Sequence, residues 1–151
     1  MSVLHELDEL LGLDSDEYDR LDLFQEADEL IGQLQSADVP ALLELWQARS
    51  LCWQQRFTQA SRNIDGAVLR ALLAALLQIR ETAHGVLELM SRLPATAAAS
   101  PLSDALLDYA EQAWHANPER QRQIQISCWS CGLSGLLLKR LGFSAWKDAG
   151  L

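Results

Sequence analysis

Cys128 and Cys131 stand three positions apart, the spacing of a dithiol redox pair or of half a zinc site. A structural zinc ion takes four ligands, and only Cys52, His5, His84 and His115 remain to complete the set. A redox pair works at a helix N-terminus behind a strand, where the helix dipole lowers the thiol pKa. This pair falls about ten residues into a helical pattern with no strand ahead of it. It therefore reads as two buried structural thiols, since free cysteine is among the most buried residue types. Ser127, Cys131 and Gly135 are spaced four apart, as are Ser130 and Ser134. Those residues give one helix a small-residue side, on which the central helix is expected to pack closely. Added volume there is expected to strain the packing, Gly135→Leu more than Gly135→Ala.

Glu81 and His84 form a Glu-x-x-His, the spacing that places two ligands on a di-iron centre in ferritin-like bundles. Such a centre needs a second copy and two further carboxylates, and Glu111 with His115 has the wrong spacing. The plain reading is a surface histidine beside Glu81 and Glu88. There is no Gly-x-Ser-x-Gly elbow, and no glycine cluster to cradle a phosphate. The expectation is a chain that is not an enzyme and holds neither cofactor nor metal.

The remaining signal is charge. The first 45 residues carry thirteen acidic side chains against one basic, Arg20, while the rest carries eight acidic and eleven basic. Asp19, Asp22, Glu26 and Glu29 recur at spacings of three, four and three. On one helix they form a stripe in which each like-charged pair costs about 0.2 to 0.5 kcal/mol. Such repulsion is relieved by a basic partner, and these four residues are the candidate partner-binding site. Two plainer readings stand beside it. One is a solvated face that aids solubility. The other is internal neutralisation by Arg49, Arg56, Arg62 and Arg70 from the helices that follow.

The elements that must position these residues are helical, because β-branched residues are scarce and apolar residues recur with helical period. The first helix carries Leu4, Leu7, Leu10 and Leu11 and stops at Gly12, read as a left-handed end. A second opens at Asp14 or Ser15 and carries Leu21, Phe24, Ala27, Ile31 and Leu34. A third opens at Asp38 with Pro40 in its first turn and runs through Leu42, Trp46, Trp53 and Phe57. Trp46 and Trp53 share a face and are expected in the core. The fourth, from about Asp65 to Leu93, is apolar nearly all round and is expected to be the long central helix. A fifth starts at Pro101, and a sixth runs from Asn117 and Pro118 to Gly142, with Ser144 capping a last short turn. The basic amphipathic end from Leu136 to Trp146 is expected to dock on the bundle rather than on a membrane.

The fold class is thus all-α: a single-domain bundle of about six helices over residues 1–151. Residues 1–14 are expected to form a loosely attached acidic helix, and residues 94–101 an internal linker. A chain of 151 residues forms a core without disulfides. The odd count of three cysteines and the absence of a secretory pattern point to a reducing, cytoplasmic setting. No run of residues spans a bilayer. Arginine outnumbering lysine, with abundant Ala and Leu, is the usage of a GC-rich bacterial genome. The function expected is a non-catalytic protein-binding module of adaptor, chaperone or immunity type, engaging a basic partner surface. The alternatives are a small helical subunit of a larger assembly, including a nucleoprotein complex that uses Arg49, Arg56, Arg62 and Arg70, or a metal-binding bundle. A net charge of −9 disfavours direct nucleic-acid contact.

Overall fold

The computed structural model describes residues 2–79, 83–94 and 101–150. Among the described residues the chain is all-helical, with ten α-helices and no strand. It divides into two compact units, Met1–Gly85 and Val86–Leu151. The first unit contains α1 (Val3–Leu11), α2 (Ser15–Arg20), α3 (Phe24–Gly32), α4 (Val39–Ala48), α5 (Leu51–Gln59) and α6 (Gly66–Leu76). Helix α7 (Ala83–Met90) bridges the boundary, and the second unit continues with α8 (Pro101–Ala116), α9 (Gln121–Ser130) and α10 (Ser134–Leu141).

Ten helices replace the expected six because local end signals interrupt patterns that keep their apolar period. The expected second helix breaks at Leu21–Leu23. Asp22 takes a left-handed φ of 50°, its N–H donates to the Asp19 carbonyl, and the Leu23 N–H donates to the Tyr18 carbonyl at 3.2 Å. This is a Schellman end built on aspartate instead of the usual glycine. The third breaks at Arg49, which is extended, after which Ser50 Oγ accepts the Trp53 N–H and starts α5. The sixth opens with a 3-10 turn, Pro118–Arg120, and breaks again at Gly132, where φ is 80° and the Leu133 N–H donates to the Cys128 carbonyl at 2.7 Å.

The long central helix is also replaced. Asp65 caps α6, its Oδ1 accepting the Ala67 N–H at 2.8 Å, but α6 ends at Leu76 in tighter i→i−3 bonds at Gln78 and Ile79. Val68, Leu69, Leu72, Leu73 and Leu76 are buried while Ala67, Arg70 and Ala74 are exposed. Alanine makes the segment look apolar on every side, yet it sits at a surface with little cost. Two smaller expectations change as well. Gly12 ends α1 in the right-handed region, with φ −88°. The last turn, Trp146–Ala149, is capped by Asp148, which accepts the Ala145 N–H at 3.1 Å, and not by Ser144. Helix α8 begins at Pro101, as the proline at its first position predicts. Residues 95–100 of the expected linker lie outside the described residues.

The core of the first unit is leucine and tryptophan. Leu4, Leu7, Leu10 and Leu11 bury one face of α1, which packs on α3 and α5. Trp46, Trp53 and Phe57 form an aromatic cluster, with Trp46 edge-on to Trp53 at 6.2 Å and to Phe57 at 5.5 Å, and Trp53 stacked on Phe57 at 5.9 Å. In the second unit α8, α9 and α10 pack on one another around Leu106, Leu107, Trp114, Ile124, Cys128 and Leu137. The basic C-terminal end docks there. Trp146 meets Trp114 at 5.6 Å, and Arg140 reaches Asp108 at 2.5 Å, with Asp104 and Glu111 one turn either side at 3.8 and 3.7 Å.

The aspartate end of α2 supplies a prediction. A non-glycine residue at positive φ is strained, whereas glycine is not. Asp22→Gly is expected to stabilise the first unit by about 0.5 to 1 kcal/mol, less whatever the freer unfolded chain takes back. Urea denaturation reads this as a higher midpoint with unchanged slope; a lower midpoint would contradict the assignment.

Candidate partner surface

The described acidic residues of the first unit play different parts. Several serve the fold. Asp14 caps α2, its Oδ1 accepting the Glu17 N–H at 2.8 Å, and Asp38 accepts the Gln35 N–H at 2.8 Å. Asp28 is buried and takes the Asn63 backbone N–H at 3.3 Å and its side-chain amide at 2.9 Å, tying α3 to the loop before α6. Asp8 receives a bidentate fork from Arg49, with Nε and Nη2 each at 2.8 Å, and the Trp53 indole N–H at 3.1 Å.

Asp19, Asp22, Glu26 and Glu29 stand apart from these, as do exposed Glu6, Asp16 and Glu44. All four candidate residues are exposed, and none makes an ion pair or side-chain hydrogen bond among the described residues. They do not lie on one helix: Asp19 belongs to α2, Asp22 to the bend, and Glu26 and Glu29 to α3. The break at Leu21–Leu23 divides the expected continuous helical stripe between two helices. At the bend Leu21 is 57% exposed, with Asp19 and Asp22 close to it in the chain.

Three of the four arginines expected to neutralise this group are engaged elsewhere. Arg49 is held by Asp8. Arg56 is buried, donating from Nη1 to the carbonyls of Leu11 at 3.0 Å and Leu13 at 2.5 Å and from Nη2 to Ser15 Oγ at 3.3 Å, while its guanidinium lies 4.3 Å over the Tyr18 ring. Arg62 lies 4.9 Å over the Phe24 ring. Arg70 is exposed beside Gly66.

The Asp8 pair has a pH consequence. The hydrogen bonds from Arg49 hold the Asp8 carboxyl below its ordinary value against the opposing effect of burial, with the Trp53 indole adding to the same direction. A carboxyl lowered on folding contributes stability that is present above the unfolded pKa near 4 and is lost as pH falls through the folded value. Asp8→Asn is therefore expected to melt below wild type at neutral pH, with the two curves converging under more acidic conditions. A gap that persists unchanged at low pH would show that the carboxylate charge is not what the site uses.

The thiols face inward. Cys128 and Cys131 are buried, with Cys131 Sγ donating to the Cys128 carbonyl at 3.5 Å. Burial pushes the Cys128 thiol up to about 12 and raises Cys131 as well, the opposite of what a reactive thiol or zinc ligand needs. Ser127 is buried beside them, but Gly135 lies on α10, beyond the Gly132 break, and a Cβ added there meets nothing within 4 Å. The expected strain at Gly135 is corrected: overpacking belongs to Cys131, 1% exposed. Glu81 and the side chain of His84 lie outside the described residues, so the Glu-x-x-His pairing has no geometry to report. Glu88 accepts the Gln123 amide at 2.9 Å and lies 3.7 Å from Arg120. Among the described residues no three His, Cys, Asp or Glu side chains gather as metal ligands.

One surface escapes the sequence reading. Arg122, Ile126 and Trp129 run along the outer face of α9, opposite buried Ile124, Ser127 and Cys128. Trp129 is 73% exposed and Ile126 54%. With Gln125, Ser134 and Trp146 they line an open groove of about 270 Å³ that has no carboxylate in its wall. The signal was present: if the small residues of α9 are buried, the large ones between them must face out.

No family model, curated protein or solved structure matches the chain. Among the described residues no helix is long and apolar enough to cross a membrane.

Proposed function

We propose that the chain is a non-catalytic protein-binding module, of adaptor, chaperone or immunity type, whose acidic N-terminal helices engage a basic protein surface. One observation carries this reading: Asp19, Asp22, Glu26 and Glu29 are exposed and unpaired among the described residues while Arg49, Arg56 and Arg62 serve other partners. The first unit holds fifteen acidic and six basic side chains, so its field is negative at long range and speeds encounter with a cationic surface. Exposed Leu21 supplies the apolar contact that turns an electrostatic encounter into a docked one. The reading as a subunit that grips nucleic acid through Arg49, Arg56, Arg62 and Arg70 has less support, because Arg56 is buried against carbonyls and Arg49 is neutralised by Asp8.

Affinity purification of tagged protein, with and without Asp19→Asn, Asp22→Asn, Glu26→Gln and Glu29→Gln combined, tests the proposal. Four interfacial charges worth about 0.2 to 1 kcal/mol each predict a loss of affinity of roughly 4- to 700-fold. Recovery should also fall as salt shortens the Debye length. A partner retained equally by the variant and at high salt would refute the reading.

A further inference from the structure

The groove on α9 and the acidic bend of α2 are complementary in chemistry. The groove offers two indoles, Ile126 and the exposed guanidinium of Arg122, with no carboxylate in its wall. The bend offers a protruding leucine, Leu21, flanked by Asp19 and Asp22. Both surfaces are exposed in the free chain. Charge favours one arrangement of copies: the first unit carries the whole net charge of −9, whereas the second holds six acidic and six basic side chains. Two first units facing each other repel, while a first unit set against a second unit avoids that repulsion and gains the Arg122 contact.

We propose that the α9 groove is the docking site for the acidic bend of a second copy of this chain, Leu21 seating between Trp129 and Trp146 while Asp19 or Asp22 meets Arg122. The proposal rests on the reading of the acidic bend as a partner surface and names its partner. Such a contact is heterologous: each copy presents one bend and one groove, so association continues head to tail unless a ring closes. An aromatic pocket with an arginine at its edge has the composition that concentrates binding energy.

Sedimentation velocity tests this. Wild type is expected to grow in mean mass from about 1 µM to about 1 mM and to grow less at high salt. A groove variant, Trp129→Ser with Arg122→Glu, and a bend variant, Leu21→Ser with Asp19→Asn and Asp22→Asn, should each stay monomeric. All substituted positions are exposed, and circular dichroism checks that both variants stay helical. The decisive arm is the mixture. The intact bend of the groove variant fits the intact groove of the bend variant, so two monomers combine into a dimer that grows no further. Absence of a dimer in the mixture overturns the proposal. So does a wild type that is monomeric throughout; if the charge-neutralised acidic face still loses a separate basic partner, the reading of that face survives alone. A wild-type oligomer broken by the groove variant but untouched by the bend variant overturns the pairing of these two surfaces and places the groove against something else.

Discussion

Arg56→Ala is expected to destabilise the first unit by about 2 to 4 kcal/mol, since hydrogen bonds to a charged group contribute about 1.5 to 3 kcal/mol each and orphaned buried carbonyls add their own cost. Leu11 is the last residue of α1, so its carbonyl is among the four that the helix cannot satisfy itself, and it sits at the negative end of the helix dipole. The guanidinium meets this carbonyl and that of Leu13, reaches Ser15 at the start of α2, and covers the ring of Tyr18. One side chain of α5 therefore fixes the turn from α1 into α2. Arg56→Met keeps the stem but leaves both carbonyls unpaired, so it should lose nearly as much. Arg56→Lys keeps the charge without the planar fork and should fall between. For a cooperative unit of 60–100 residues each kcal/mol lowers the melting temperature by roughly 4 to 8 °C. A change of only a degree or two in Arg56→Ala would mean that the buried contacts contribute little.

Gly85→Ala is the second large effect, and its sign opposes helix propensity. In a helix interior alanine is favoured over glycine by about 1 kcal/mol. Here the added Cβ would overlap the indole of Trp46, itself fully buried against Trp53 and Phe57. The cluster must shift, at a cost of about 1 to 3 kcal/mol, and net destabilisation is expected. Trp46→Phe in the same chain removes the overlapping ring atoms. It also removes an indole N–H that has no hydrogen-bond partner among the described residues. The double variant should consequently be more stable than the sum of the two single changes predicts, a coupling readable in a double-mutant cycle. Strict additivity would refute the close approach.

How much of this was legible varied with the range of the interaction. The burial of Trp46 and Trp53 was legible in their spacing of seven, although the break at Arg49 puts them on two helices, α4 and α5. The start of α8 at Pro101 followed from proline chemistry. The break at Asp22 did not, because aspartate enters the left-handed region less readily than glycine and the apolar period runs on through Leu21, Phe24 and Ala27. Gly85 has no local partner in the sequence that explains it; its meaning lies in Trp46, thirty-nine positions away. The outer face of α9 was not legible because an isolated Trp129 with Ile126 fits a buried position as well as an exposed one, and only packing on α8 and α10 fixes which side of α9 turns inward.

By itself the sequence determined that the chain is helical, which faces of α1, α4 and α5 turn inward, and that negative charge is concentrated near the start. Those properties depend on period, caps and composition over a few turns. Only the tertiary structure decided which charges are partners and which stand alone. Asp8 meets Arg49 across forty-one positions and Arg56 meets the end of α1 across forty-five, while Asp19, Asp22, Glu26 and Glu29 are left exposed. The reason is physical: a carboxylate costs little in water, so local pattern places no constraint on its partner. The packing of α1 on α5 and on the turn that precedes it brings Arg49 to a carboxylate and Arg56 to a helix end.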